Sequence, residues 1–251
     1  MTFNEKTIFL TGASSGIGRE IAKALLKENC RLILASRNLE ELKKLAGENK
    51  NSFSSVLPIK CDIMNKNEVC EAVESAKRKF GKIDIAILNS GISSREPVEK
   101  FSSSTAEKIF GVNVLGMVYC IEALLPDFIQ RREGVIAGIS SLADGRGFTR
   151  SGFYSASKAA VSKILESLRV ELKKYNVKVI TVKPGFVKSP MTDKNEFEMP
   201  FLMDAGKAAG IILKGISKEK SKIEFPLPTT LGAKLLKILP DPLFDYIASK
   251  V

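Results

Sequence analysis

A tyrosine and a lysine one helical turn apart are the residues of this sequence best suited to chemistry. Tyr154 and Lys158 are four positions apart at the predicted start of a helix, so their side chains lie on the same face. A phenol has an ordinary pKa of about 10, which is too high for easy proton exchange near neutrality. A nearby ammonium group favours the phenolate, so we expect Lys158 to lower the pKa of Tyr154. The pair could then give a proton to a carbonyl oxygen or take one from an alcohol.

Two more polar residues fit the same chemistry. Ser141, in a predicted loop before the Tyr154 helix, could hydrogen-bond the reacting oxygen, and Asn113, in another predicted helix, could hold a water behind Lys158. The sequence has no histidine, which excludes a Ser-His-Asp triad and a Cys-His pair and removes the commonest metal ligand. Because the cysteines form no Cys-x-x-Cys pair, we expect no metal site.

A glycine-rich turn near the N-terminus predicts a phosphate-binding site. Residues 7–18 read Thr-Ile-Phe-Leu-Thr-Gly-Ala-Ser-Ser-Gly-Ile-Gly, which is a short apolar strand and three glycines, and a predicted helix follows from 19 to 29. The glycines allow backbone to approach a ligand closely, and the free N–H groups at the helix start face an anion. The spacing Gly-x-x-x-Gly-x-Gly is a variant of the dinucleotide fingerprint.

Strands and helices alternate along the rest of the chain. Mostly apolar strands are predicted at 8–10, 31–35, 53–60, 83–88, 134–140, 177–183 and 222–225, with helices at 39–48, 65–80, 104–131, 154–175 and 210–215. This pattern predicts a single α/β domain with a three-layer Rossmann fold, in which a doubly wound, mostly parallel sheet of about seven strands carries helices on both faces. Ligands bind beyond the carboxyl ends of such strands, where the polar residues above converge.

These motifs together resemble the short-chain dehydrogenase/reductase family. Residues 11–18 are similar to its cofactor turn, and Leu-Asn-Ser-Gly at 88–91 resembles its Asn-Asn-Ala-Gly segment. The residues that match the spacing of its catalytic set are Asn113, Ser141, Tyr154 and Lys158. Pro-Gly-Phe-Val at 184–187 resembles the segment that meets the nicotinamide carboxamide, with Ser189 where a threonine is usual. The resemblance covers roughly residues 5–225 and implies hydride transfer between a nicotinamide and a carbonyl or secondary alcohol.

The resemblance also implies a set of cofactor contacts, with Asp62 and Ile63 beside the adenine. The second strand ends at Ser36, which Arg37 follows. A carboxylate at this place would bind the ribose hydroxyls of NAD, whereas a guanidinium can clamp a 2′-phosphate, so NADP(H) is expected in preference to NAD(H). The remaining expected contacts are Gly12, Ser14, Ser15, Gly16, Ile17, Gly18, Asn89, Gly91, Tyr154, Lys158, Pro184, Gly185, Val187 and Ser189.

Two segments lie outside these motifs. The stretch at about 186–210 is irregular and rich in Phe and Met, which predicts a substrate lid and an apolar substrate. The stretch at about 226–251 is an amphipathic extension, whose apolar stripe is expected to pack on the protein core rather than on a partner subunit or a membrane surface. The residues of this stripe are Leu231, Leu235, Leu236, Ile238 and Leu239.

The composition limits the partners. The formal net charge is +11, but Lys and Arg are mixed with Asp and Glu and no basic run carries aromatic residues, so no nucleic-acid partner is expected. No apolar run approaches the roughly 20 residues that span a bilayer, and the first strand leaves no room for a signal peptide, so we expect a cytoplasmic protein. The resemblance implies a homodimer or homotetramer formed through the two long helices.

Other functions fit parts of the sequence. Ser155-Ala-Ser-Lys158 also matches the Ser-x-x-Lys motif of acyl-serine enzymes, but their Ser-Asp-Asn and Lys-Thr-Gly elements are absent. A catalytically silent NADP(H)-binding sensor or scaffold would not need all four residues of the catalytic set. A 3-oxoacyl-carrier-protein reductase remains open, because a basic surface suits an acidic carrier, although the Pro- and Leu-rich C-terminal segment differs from the short glycine-rich tail of that subfamily.

Overall fold

A parallel sheet forms the centre of the molecule. The computed structural model describes residues 1–48 and 55–250, and within these ranges the strands pair in the order β3-β2-β1-β4-β5-β6-β7, all parallel. The order reverses between β1 and β4, the place where doubly wound sheets bind ligands. The predicted fold class is confirmed. The strands are β1 Thr7–Thr11, β2 Arg31–Ser36, β3 Ser55–Lys60, β4 Ile85–Leu88, β5 Gly134–Ile139, β6 Val177–Pro184 and β7 Lys222–Phe225.

Helices cover both faces of this sheet and produce the predicted three layers. Alternate residues of β1 point to opposite faces, so Ile8 and Leu10 join a core with α1, α2 and α7, whereas Phe9 joins a core with α3, α5 and α6. The helices are α1 Gly16–Leu25, α2 Leu39–Gly47, α3 Lys66–Phe80, α4 Ser103–Phe110, α5 Gly116–Arg131, α6 Gly152–Glu171, α7 Ala205–Ser217, α8 Leu227–Ile238 and α9 Asp241–Ala248.

Capping residues set the limits of α3 as the sequence predicts. The Asn65 side chain accepts hydrogen bonds from two backbone N–H groups of the first turn, and Gly81 ends the helix with a φ of 82°. Helix α1 begins at Gly16, earlier than predicted, so the last two glycines of the motif lie in its first turn. The predicted third strand included residues 53 and 54, which lie outside the described residues.

The helix predicted at 104–131 is interrupted by a π-helical turn. This turn spans Gly111–Leu115 and separates α4 from α5. The sequence signal was the unusual set of Gly111, Asn113 and Gly116 inside a helix. By length and composition alone, the stretch Ser103–Arg131 could cross a membrane, but 56% of its most apolar window is buried inside the protein, as in a core helix.

The irregular segment that was predicted to be a lid is shorter than expected. Helix α7 includes the last residues of the predicted range and buries Ala208 in the core, so the irregular segment ends at residue 204. At its base, Val187 pairs with Met203 in an isolated parallel bridge. The segment is therefore a loop whose two ends are fastened to each other.

The expectation that the C-terminal stripe packs on the core is wrong for three of its five residues, whereas Leu236 and Leu239 are partly buried. Leu231, Leu235 and Ile238 are 58%, 59% and 77% exposed. The two final helices bury Thr230 and Phe244 instead, so they lie on the protein through their other side. The sequence shows that one side of α8 is apolar, but it does not show which side faces inward.

Gly116 of α5 and Gly232 of α8 provide a matched test of how closely each helix packs on its neighbours. A Cβ at Gly116 would lie 2.6 Å from Ile63 Cδ1, whereas a Cβ at Gly232 would meet nothing within 4 Å. We predict that Gly116→Ala lowers the free energy of unfolding by about 1–3 kcal/mol through overpacking. Gly232→Ala should raise it by about 0.5–1 kcal/mol, because alanine favours a helix. Urea unfolding of both variants tests this, and equal effects would contradict the close approach at Gly116.

Candidate active site

The glycine turn after β1 is closed against the turn after β4. Gly12 has a φ of +65°, and a Cβ there would lie 2.9 Å from the amide nitrogen of Asn89. That nitrogen donates hydrogen bonds to the backbone oxygens of Thr11 and Gly12, each at 3.2 Å. A Cβ at Gly18 would lie 2.2 Å from the Gly12 oxygen. Glycine is required at both positions, and the Asn89 amide is used to hold the turn.

The N-terminus of α1 is the part of this turn that can receive an anion. Ser15 is the N-cap residue, and its side chain makes no capping hydrogen bond, so the N–H groups of the first turn have no side-chain acceptor there. Ser14 and Ile17 are partly buried beside it. A Cβ at Gly16 would lie 3.1 Å from the Cβ of Ser189, so the segment after β6 reaches the same turn.

Asn113 joins three segments beside Lys158. Its Oδ1 accepts a hydrogen bond from the Ile92 N–H at 2.8 Å, and its Nδ2 donates to the Ile92 oxygen and to Ser157 Oγ, both at 2.9 Å. A Cβ at Gly91 would lie 3.2 Å from Lys158 Nζ and 3.3 Å from Asn113 Oδ1, so these groups meet at one point. The expected water behind Lys158 stays a prediction.

Ser157 connects this cluster to the tyrosine, and sequence reasoning missed it. Its hydroxyl donates a hydrogen bond to the backbone oxygen of Tyr154 at 2.7 Å while accepting one from Asn113. The available signal was its place between Tyr154 and Lys158, but the Ser-x-x-Lys pattern drew attention to Ser155. Ser155 is only 4% exposed, which makes it a poor nucleophile for an external substrate.

Burial dominates the proton affinity of Tyr154. Desolvation raises its pKa above the ordinary value, and a hydrogen bond with Ser141 acts more weakly in the opposite direction. Lys158 Nζ lies 5.9 Å from the centroid of the tyrosine ring and donates a hydrogen bond to the Ile139 oxygen at 2.9 Å. The expectation of a lowered pKa is therefore wrong for the chain by itself, because desolvation of the phenolate outweighs the hydrogen bond with Ser141.

The same burial lowers the pKa of Lys158, whereas it raises that of Tyr154. Its side chain is 3% exposed, and desolvation lowers its pKa from 10.5 to about 8. The ammonium is therefore still charged near neutral pH. It begins to lose its proton at a pH only slightly higher. Tyr154 and Lys158 are both shifted towards their neutral forms.

A second polar network holds the short helical turn that begins at Ser141. Lys183 Nζ lies 2.6 Å from Asp144 Oδ2, and this pair is mostly buried. Asp144 also accepts a hydrogen bond from Ser162, whose hydroxyl lies 2.7 Å from that of Ser140. Asp144 follows β5 and Lys183 is near the end of β6, which is the neighbouring strand. Opposite charges at these two places were the signal that sequence reasoning overlooked.

The residues expected around the adenosine half lie at the ends of β2 and β3. The Ser36 hydroxyl is hydrogen-bonded to the backbone of Asn38, at 3.2 Å to its N–H. Arg37 is exposed and has no hydrogen bond or ion pair within the described residues. The Asp62 carboxylate accepts a hydrogen bond from a local backbone N–H, and Ile63 is buried against α5. Among these four residues, Arg37 therefore offers a cation that is not used in an ion pair within the described residues.

The segment after β6 borders the site on its other side. Pro184 ends the strand, Gly185 follows it, and Val187 is buried at the base of the lid. Phe197 of the lid lies under the guanidinium of Arg95, with 4.0 Å between the guanidinium carbon and the ring centroid. The Phe197 ring thus packs on the loop after β4.

The polar side chains of this site can transfer a proton close to the glycine turn after β1. Lys158 supplies a cation beside Gly91, and Tyr154, one helical turn before it, supplies a phenol that is hydrogen-bonded with Ser141. Within residues 1–48 and 55–250, no group of three or more His, Cys, Asp and Glu side chains could hold a metal ion.

A comparison with protein families identifies the chain. The sequence model of the family described as short chain dehydrogenase matches residues 6–199, which is well over half of the chain. This chain belongs to the short-chain dehydrogenase family. A protein of Myxococcus xanthus (strain DK1622), called an uncharacterized oxidoreductase, is 35% identical to this dehydrogenase over 246 residues, which cover 98% of this chain and 97% of that protein.

Solved structures share the fold of this dehydrogenase. A Burkholderia phymatum short-chain dehydrogenase/reductase in complex with NAD has a TM-score of 0.86 at 22% identity, with 94% of each chain covered. A Sphingobium yanoikuyae short-chain dehydrogenase in complex with NADPH has a TM-score of 0.81 at 23% identity, and the match covers 94% of this chain and 97% of that chain. A Brucella melitensis 3-ketoacyl-(acyl-carrier-protein) reductase complexed with NADH has a TM-score of 0.83 at 25% identity, and the match covers 91% of this chain and 100% of that chain.

The lowered pKa of Lys158 predicts a pH dependence of the stability of the dehydrogenase. Burial of the cation destabilises the folded state fully below pH 8, and the penalty is relieved as pH rises from about 8 towards 10.5. Relative to Lys158→Met, the wild type should gain up to about 3 kcal/mol over this range. Urea unfolding of both proteins between pH 7 and 10 measures this difference. A difference that stays constant would contradict the buried cation.

Proposed function

We propose that this dehydrogenase is an NADP(H)-dependent oxidoreductase that transfers a hydride between the nicotinamide and a carbonyl or secondary alcohol, with Tyr154 as general acid and base. The observation that carries the proposal is the meeting of Lys158 with Gly91 and Asn113, one helical turn from a tyrosine that faces Ser141. This combination lies at the carboxyl edge of the sheet, where the family binds its cofactor.

The residues present fit a dinucleotide. Gly12 and Gly18 leave no room for side chains, the start of α1 has no side-chain cap, and Gly16 adjoins Ser189. A pyrophosphate at the α1 terminus would meet free N–H groups and the positive end of the helix dipole. The bound cofactor supplies the hydride that a carbonyl carbon accepts.

The side chains of this chain handle the proton. Because burial raises its pKa, Tyr154 stays protonated near neutrality, which is the form that can donate to a carbonyl oxygen. Ser141 can hydrogen-bond the same oxygen and so orient it. After donation, the phenolate is stabilised by the Lys158 ammonium and by Ser141. In the reverse direction the phenolate removes the proton of an alcohol.

The preference for NADP(H) rests on Arg37. This guanidinium follows β2, is exposed and has no partner within the described residues, so it is available to a 2′-phosphate. Ser36 adds a hydroxyl and no negative charge at this position. The neighbours solved with NAD, NADH and NADPH support a nicotinamide cofactor of either kind, so the choice depends on residues of this chain.

A 3-oxoacyl-carrier-protein reductase is the second candidate. The Brucella melitensis reductase of that type covers 91% of this chain at 25% identity, and the +11 charge suits an acidic carrier. The continuation of this chain into α8 and α9 favours a different substrate. Exposed apolar residues of the lid, Phe201 and Leu202, favour an apolar carbonyl compound.

We further propose a cytoplasmic homodimer or homotetramer assembled through α4, α5 and α6. The exposed apolar side chains Leu115 and Val170 lie on this helical surface and support a contact between subunits there. Light scattering of the purified protein gives the mass of the assembly.

Replacing the tyrosine tests the catalytic role. Tyr154→Phe should lower kcat at least about a hundredfold, because the variant lacks the phenol proton that the proposed step gives to the carbonyl oxygen, and should leave cofactor affinity nearly unchanged. Turnover of a panel of apolar ketones is measured with NADPH, and fluorescence titration gives the cofactor affinity. Retained turnover would dismiss Tyr154 as the acid, and a wild type that binds cofactor but reduces no carbonyl would favour a silent sensor.

Replacing the arginine tests the cofactor choice. Arg37→Ala should weaken NADPH binding at least about tenfold and change NADH binding little, because only NADPH carries the 2′-phosphate. Arg19→Ala, which removes a partly exposed cation of α1 that pairs with Glu48, is the control. Fluorescence titration with both cofactors gives the ratio, and equal losses for NADPH and NADH would overturn the assignment.

A further inference from the structure

A mostly buried ion pair lies beside the turn that begins at Ser141. Lys183 Nζ and Asp144 Oδ2 are 2.6 Å apart, and the two side chains are only 15% and 11% exposed. Both neighbours of Lys183 in β6, Val182 and Pro184, are buried. A lysine is unexpected in a parallel strand that has helices on both faces of its sheet. Its partner accounts for it, and that partner follows Ser141 by three residues.

The turn that carries Ser141 is too short to be stable by itself. It spans Leu142–Asp144 and is closed by a hydrogen bond of 3.3 Å from the Asp144 N–H to the Ser141 oxygen. An irregular segment with glycines at 145 and 147 follows it. A single helical turn gains little from its own hydrogen bond, and glycines leave the next segment more conformational freedom. Contacts with other elements must therefore fix this turn.

Asp144 supplies such a contact to the helix of the tyrosine. Its Oδ2 accepts a hydrogen bond of 2.5 Å from Ser162 of α6, and the Ser162 hydroxyl lies 2.7 Å from that of Ser140. The Ser140 hydroxyl is in turn 2.9 Å from the backbone oxygen of Lys158. The network thus connects the turn to the backbone of α6, the helix on which both Tyr154 and Lys158 are placed.

Stability does not explain why this pair is ionic. Two buried charges lose their hydration, and apolar residues of similar volume are often as stable or more stable in their place. The ion pair adds a defined geometry, because Lys183 and Ser162 both bind the same carboxylate oxygen of Asp144. Geometry matters at a reacting centre, where a displacement of about 1 Å can cost on the order of a hundredfold in rate.

We propose that Asp144 and Lys183 are positioning residues, which hold the Ser141 hydroxyl in place beside Tyr154. The inference rests on the proposed function, in which Ser141 orients the carbonyl oxygen and stabilises the phenolate. The pair acts through the turn and takes no part in the proton transfer. Without the pair the turn gains freedom, the hydrogen bond between Ser141 and Tyr154 weakens, and carbonyl reduction slows.

A double variant tests this role without leaving a buried charge unpaired. Asp144→Asn/Lys183→Met removes both charges and nearly keeps the size of both side chains, so the protein should still fold. Its kcat for an apolar ketone should fall at least about tenfold, whereas its NADPH affinity in fluorescence titration should stay within about twofold of the wild type. Asp127→Asn is the control, because it breaks the partly buried pair with Arg131 in α5, and it should leave kcat unchanged.

A second background separates positioning from a general structural effect. In Ser141→Ala no hydroxyl remains to be positioned, so adding Asp144→Asn/Lys183→Met should lower kcat by less than about twofold more. An equal loss in both backgrounds would overturn the proposal, because the pair would then act independently of Ser141. An unchanged kcat of Asp144→Asn/Lys183→Met in the wild-type background would overturn it as well.

Crystal structures of the wild type and of Asp144→Asn/Lys183→Met give a readout that does not depend on activity. The wild type should show Ser141 hydrogen-bonded to Tyr154, and the double variant should show Ser141 displaced or in two conformers while α6 keeps its place. A Ser141 that stays in place in the variant would refute the positioning role. A wild type that reduces no carbonyl, together with a displaced Ser141 in the variant, would refute the proposed function and support the positioning of Ser141.

Discussion

The candidate site depends on the hydrogen bonds of one buried amide. Asn113 is fully buried, and its side chain pairs with both backbone groups of Ile92 and with Ser157. A buried amide must find partners, and these come from the loop after β4 and from α6. The π-helical turn inserts an extra residue into a helix and so changes which side chain faces the site. Through these bonds the loop that carries Gly91 is held against the helix that carries Lys158.

Desolvation decides the electrostatics of the same place. It raises the pKa of Tyr154 and lowers that of Lys158 to about 8, so the phenol holds its proton more tightly than the lysine does. A tyrosine that keeps its proton can donate it to a base. The oxygen of a carbonyl group that accepts a hydride is such a base. Lys183, near the end of β6, is paired with Asp144.

Local sequence signals predicted most of the fold, and contacts between distant segments explain what they missed. Apolar runs and caps located the strands and α3, and glycine spacing located the turn at Gly12. Helical periodicity did not show the π turn at Asn113, because the sequence on each side of the turn forms a regular helix. The pKa of Tyr154 was misjudged because four-residue spacing gives proximity to Lys158 and says nothing about burial. The pairing of Asp144 with Lys183 required knowing that β5 and β6 are neighbours.

The C-terminal helices show how one aromatic contact can decide the orientation of an amphipathic helix pair. A leucine stripe on α8 alone favours packing on the core, but Phe244 takes that role by stacking on Arg146 and meeting Phe148 at 6.0 Å between ring centroids. Arg146 and Phe148 belong to the loop that leads from Ser141 to Tyr154. Through these contacts α9 covers the segment that joins Ser141 to Tyr154.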